Sequence, residues 1–206
     1  IADGTATGTI IDNDAAIPDV VIGDVTVSEG DTATFTVSLT APAIDEVTIT
    51  LTTNNDTAVS GSDYTATTVT VTIPAGASSV TFDVPTIEDL IDEPDETFGV
   101  SITASTGTLG DTSDAATGSI VDDDPAPSVS IDDVSATEGD DLVFDVTLSN
   151  PSSESITVTF VTTEGTANGG VDYTGGTFDV KYAPGETTAT VTVTTTADLD
   201  LEPDET

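Results

Sequence analysis

Shifted by 109 positions, this sequence lies on top of itself: residues 20–97 align with 129–206 without a gap, and 33 of those 78 positions are identical. A period of 109 residues is the size of a domain, well above the roughly 20–50 residues of a solenoid unit. Residues 6–14 in turn match 116–124, so the end of a further copy precedes the first full one. The expected organisation is a last strand of a preceding unit at 1–14, a complete domain at 15–124, and a second domain lacking its final strands at 125–206.

Within the complete repeat the hydrophobic period is two. Phe35, Val37 and Leu39 alternate with Thr34, Thr36 and Ser38, and the same holds for Val47, Ile49 and Leu51, for Val69, Val71 and Ile73, and for Val80, Phe82 and Val84. Such alternation marks half-buried strands, and the 43 Thr residues beside many Val and Ile suit them. With strands beginning at Val20, Phe98 and Gly118 the count reaches seven, with polar turns and no helical stretch. Seven short strands predict an all-β fold, a tandem pair of immunoglobulin-like β-sandwiches. The Cys pair and Trp of true immunoglobulin domains are absent.

Residues 88–97 place six carboxylates in ten positions, and 197–206 return to the pattern. Pro94 and Pro203 cannot donate to a strand ladder, so each run is a loop with a strand free to follow. If successive strands reverse direction, the connections after the first, third and fifth strands and the end of the seventh share one pole of the sandwich. That pole gathers Glu29, Asp63, the loop from Glu88 to Glu96, and Asp122, Asp123 and Asp124. Two carboxylates 4 Å apart repel by roughly 1 kcal/mol in water and about 4 kcal/mol at an effective dielectric near 20. The pole therefore calls for a counter-ion. Calcium accepts 6–8 oxygens in flexible geometry while magnesium keeps its waters, so calcium fits better.

Four motifs in order, Ser28-Glu29-Gly30, Gly61-Ser62-Asp63-Tyr64, the Glu93-Pro94-Asp95-Glu96 core, and Ile120-Val121-Asp122-Asp123-Asp124, resemble the Calx-beta domain. That family, first described in sodium/calcium exchangers and an integrin subunit, recurs in tandem in large bacterial surface proteins and adhesins. The resemblance spans nearly the whole chain. It implies a cluster of calcium ions held by Glu29, Asp63, Glu88, Asp89, Glu93, Glu96, Asp122, Asp123 and Asp124. In the second repeat it implies Glu138, Asp172, Asp198, Glu202 and Glu205, and in the preceding tail Asp12 and Asp14. Asn13 and Ala197 depart from the fully acidic pattern, which implies fewer ions in their units.

The formal charge of −38, with Lys181 the single base, argues against nucleic acid and anionic membrane surfaces as partners. No apolar run reaches the roughly 18 residues of a membrane span, so direct membrane insertion is not expected. Without His, Cys or Arg, Ser-His-Asp, Cys-His and arginine-clamp chemistry are excluded, and no enzyme is expected. Tyr64 and Tyr173 sit at equivalent repeat positions and are expected to pack. Lys181 should point outward, away from the inward face claimed by Phe178, Val180 and Tyr182. The acidic, Cys-free composition suits an extracellular or cell-surface location, bacterial in origin. The expected role is a calcium-stiffened rod or filament segment for adhesion or display, whose partners are calcium, neighbouring repeats and other copies in a filament. The alternatives are a ligand-binding adhesion module contacting protein or carbohydrate, and a calcium sensor.

Overall fold

The computed structural model describes residues 4, 5, 7–11, 14–199 and 203–206, and the described residues form strands and loops without a helix. None of them builds a helix long and apolar enough to cross a membrane. The contacts group into two compact units, one formed by residues up to Glu88 with Glu96–Val121, the other by Asp89–Asp95 with Asp122–Thr206. The middle of the acidic run thus makes its densest contacts with the chain that follows Asp122.

The first unit contains β1 (Val20–Ile22), β2 (Val25–Ser28), β3 (Thr32–Leu39), β4 (Val47–Asn55), β5 (Thr68–Ile73), β6 (Ser79–Pro85), β7 (Glu96–Thr106) and β8 (Ala115–Val121). They form two sheets, in the orders β1-β3-β6 and β2-β8-β7-β4-β5. The alternation read from the sequence decides which side chains enter the sandwich: Phe35 and Val37 of β3, Val84 of β6, Ile49 of β4 and Phe98 of β7 are all fully buried. Phe35 stacks on Phe82 at 5.2 Å and meets the edge of Phe98 at 5.9 Å. Tyr64 stacks on Phe98 at 4.5 Å and donates from its hydroxyl to Asn55 Oδ1 at 2.6 Å, so it packs as expected and its buried polar tip is satisfied.

One expected strand is two in the structure. The chain pairs antiparallel with β3 as β1, crosses over at Gly23 and Asp24, and pairs parallel with β8 as β2. The crossover is pinned on both sides: Gly23 N–H donates to Thr36 O at 3.1 Å, and Asp24 Oδ1 accepts the Thr117 N–H at 2.7 Å. The three residues of β1 and the four of β2 are too short for periodicity to reveal the switch.

The outward faces are ladders of hydroxyls, with Thr48 against Thr106 at 2.6 Å, Thr50 against Thr70 at 2.8 Å, and Thr34 donating to Asp83 at 2.7 Å. These cross-strand pairs are the sheet's own polar satisfaction.

The second unit holds β9 (Val129–Ile131), β10 (Asp141–Leu148), β11 (Ile156–Val161), β12 (Thr177–Tyr182) and β13 (Thr188–Thr194). They lie in the orders β13-β10-β9 and β11-β12. Val146, Leu148, Val180, Tyr182, Val191 and Val193 are buried, but Phe144, Phe160 and Phe178 are only half-buried. Among the described residues of this unit no strand follows β13, whereas in the first unit β7 and β8 pack on the matching positions. Lys181 is exposed on β12, where its neighbours Val180 and Tyr182 turn inward. Residues 7–11, which match residues 117–121 of β8 in sequence, form no ladder with other described residues.

Candidate metal centre

In the first unit one end of the sandwich is knitted together by backbone bonds. Glu29 N–H donates to Val121 O at 3.0 Å, which joins the β2–β3 turn to the end of β8. Thr86 N–H donates to Asp31 O at 3.0 Å and Ile87 N–H to Asp63 O at 2.9 Å, which adds the exit of β6 and the β4–β5 connection. Antiparallel reversal of the strands does bring these segments to one pole. There Glu29 is 9% exposed, and a carboxylate taken this far out of water requires donors or a cation. Asp63 Oδ2 accepts the Val59 N–H at 2.5 Å, and carboxylate oxygens of the half-buried Asp63 and Glu96 lie within 4.8 Å of each other.

Gly30 makes the pole possible. Its φ of 75° lies in the left-handed region, and a Cβ there would fall 2.5 Å from Glu88 Oε2. Gly30→Ala should therefore cost about 1–2 kcal/mol from backbone strain, with a further loss from displacing Glu88. Denaturant unfolding of the variant checks this. Gly139 repeats the arrangement with φ 85°, but there Ala197 lies over the glycine in place of a carboxylate.

In the second unit the acidic loop and the chain after β8 bring aspartates together. Carboxylate oxygens of Asp89 and Asp124 lie within 4.8 Å of each other. Loss of water around Asp124, then the charges of Asp122, Asp123, Asp89 and Asp92, push its carboxyl above the usual aspartate range. Asp122 Oδ1 and Asp124 Oδ2 are buried and have no hydrogen-bond partner. Buried acceptors in native proteins are nearly always satisfied, and oxygens that accept nothing from the protein are the donor chemistry a hard cation requires. The residues fit an oxygen-ligated metal. Loop bonds hold the set in place: Asp89 Oδ1 accepts the Ile91 N–H at 2.7 Å, and Asp95 Oδ1 accepts the Asp122 N–H at 3.3 Å.

The second repeat reproduces part of this frame. Asp172 Oδ2 accepts the Asn168 N–H at 2.7 Å and its carbonyl accepts from Thr196 N–H at 2.8 Å, matching the bonds of Asp63. Glu138 Oε1 accepts the Asp198 N–H at 2.8 Å. Glu138, Asp198 and Glu205 are exposed. Asp14 is exposed, and Asp12 and Glu202 lie outside the described residues. Glu88 is exposed and Glu93 half-buried.

Two residues of the run escaped the sequence reading, Asp92, whose charge acts on Asp124, and Asp95, which fixes Asp122. Asp95 had a signal in its identity with Asp204 across the repeat. Asp92 had none, because Leu201 stands at its equivalent position.

The Calx-beta domain family matches the chain twice, over residues 12–124 and 122–206. Among solved structures, CBD12 from CALX1.2 is 20% identical with a TM-score of 0.49, covering 86% of this chain and 74% of that one. The calcium binding domain CBD12 of CALX1.1 is 18% identical with a TM-score of 0.47, covering 84% and 74%. The apo form of the Calx CBD1 domain is 18% identical with a TM-score of 0.48, covering 53% of this chain and all of that one. No curated protein matches. The two family matches meet at residues 122–124, which include the unsatisfied oxygens of Asp122 and Asp124, and together they account for nearly every residue: the chain belongs to the Calx-beta family.

Proposed function

We propose that this chain is a calcium-binding structural repeat of an extracellular or cell-surface protein, in which calcium stiffens the link between tandem sandwiches of an adhesive or display filament. The observation that carries the reading is the pair of buried, unpartnered oxygens on Asp122 and Asp124. These residues belong at once to the aspartate cluster and to the covalent path from one family match to the next. A ligand that is also a linker cannot be coordinated and flexible together. Asp89, Asp122, Asp123 and Asp124 would hold the ion nearest the linker. Glu29, Asp63, Glu88, Glu93 and Glu96 complete the proposed set at the first repeat, with fewer ligands at the second, where Ala197 replaces a carboxylate. No catalytic role is proposed, since no residue set for nucleophilic or acid–base work accompanies the acids. A spacer agrees with the hydroxyl-covered outer faces, which offer little to a protein or sugar ligand.

Small-angle scattering of the chain in calcium and in chelator tests the stiffening. The expected result is a longer maximum dimension and lower flexibility with calcium, since free motion between domains is the default for a short link. Identical profiles would overturn the stiffening and favour a binding module.

A further inference from the structure

The acidic loop makes a contact that has nothing to do with its carboxylates. Asp92 forms a parallel β-bridge with Ser152, in the connection between β10 and β11. Its N–H donates to Pro151 O at 3.1 Å. Its carbonyl accepts from Ser153 N–H at 3.0 Å and from Ser152 Oγ at 3.1 Å.

The receiving segment has a counterpart 109 positions earlier, Pro42, Ala43 and Ile44 between β3 and β4, held in the same local frame. Gly76 N–H donates to Ala43 O at 2.8 Å as Gly185 N–H does to Ser152 O at 2.9 Å. Leu39 N–H donates to Ser78 O at 2.8 Å as Leu148 N–H does to Thr187 O at 2.8 Å. Thr40 N–H donates to Asp19 O at 3.0 Å as Ser149 N–H does to Ser128 O at 2.9 Å. In both places the central residue is buried and its carbonyl is taken by the glycine turn. The carbonyl before it and the N–H after it are left for something else. At the second repeat that is Asp92. At the first, no described residue bonds to Pro42 O or Ile44 N–H, and the Ile44 side chain is 45% exposed.

We propose that Pro42, Ala43 and Ile44 form a docking edge for the acidic loop of a preceding repeat of this same kind, which adds one residue of parallel bridge there as Asp92 does at Ser152. The occupant is named by two facts: the equivalent edge holds such a loop, and residues 6–14 repeat the sequence by which one repeat leads into the next. Strand addition of this type draws its affinity from main-chain bonds and tolerates changes of side chain. It therefore accepts Ala43 in place of Ser152, although the hydroxyl bond is lost. The docking needs no ion, so it stands or falls apart from the calcium reading.

The test is a chain with one period duplicated, residues 1–128 joined to 20–206, in which the inserted copy of Ile44 follows a complete acidic loop while the first copy does not. Amide hydrogen exchange is measured in chelator. The Ile44 N–H of the inserted copy is expected to exchange about 10-fold more slowly than that of the first copy, approaching Ser153. Equal rates at the two Ile44 amides, with Ser153 protected, would overturn the proposal. So would a Ser153 amide exchanging as freely as the first copy's Ile44, since the template bridge would then not form in solution.

Discussion

Saturating the calcium-free chain with calcium is expected to raise its stability by about 2.7 kcal/mol for each site held at 100 times its dissociation constant. For domains of this size that shifts the melting temperature by about 10 °C or more. Asp89→Asn together with Asp124→Asn should remove most of that gain. The same pair should act in the opposite direction in chelator, where it removes the desolvated charge, and with it the repulsion from neighbouring aspartates, that hold the Asp124 carboxyl above its ordinary range. The pH dependence follows from the sign of that shift. A carboxyl whose folded pKa is raised costs the folded state stability above that pKa, and the cost disappears as pH falls through it. Lowering the pH should thus relieve this site in the calcium-free chain, while in the calcium-loaded chain protons compete with the metal and the gain from calcium shrinks. Thermal unfolding of both proteins, with calcium and with chelator, reads all four cases. A double variant equally destabilised with and without calcium would mean that these aspartates serve packing alone.

Phe98→Ala should cost about 3–5 kcal/mol, the usual loss for a buried aromatic truncated to alanine. Its ring is fully buried, stacks on Tyr64 and meets the edge of Phe35. On its remaining side it lies over Gly118, its cross-strand partner in β8, where a Cβ would collide with the ring. Gly118→Ala should consequently cost about 1–3 kcal/mol by overpacking. In the Phe98→Ala background that second cost should vanish, because the ring it opposes is gone. Denaturant unfolding of the double-mutant cycle checks both values. Additive costs would contradict the ring-on-glycine packing.

Much of this architecture was legible because it rests on local periodicity. The alternation through Phe35, Val37 and Leu39 reappears as the buried side of β3, and the same rule placed Lys181 outward. The pole was legible for a topological reason: reversing strands return every second connection to one end, and the Glu29, Thr86 and Ile87 N–H bonds tie that end together. What stayed hidden depends on distant pairing. The sheet switch at Gly23 needs Thr36 and Thr117 as partners, neither of which has any special sequence character. The bridge of Asp92 to Ser152 is made by main-chain atoms, which carry no residue signature at all. The candidate metal set is intermediate. Its acidic residues could be singled out from the acidic runs and the family resemblance, but the burial that leaves Asp122 Oδ1 and Asp124 Oδ2 without donors is a property of the folded loop.

Isothermal calorimetry tests whether the aspartate pole binds calcium. Titrating calcium into the metal-free chain should give a saturable heat with dissociation constants of about 10⁻⁴ to 10⁻³ M or tighter, the range of extracellular calcium modules. Magnesium should give little at the same concentrations, and Asp89→Asn with Asp124→Asn should abolish the tightest phase. No saturable heat with calcium, or equal binding of magnesium, would show that the pole is not a calcium site.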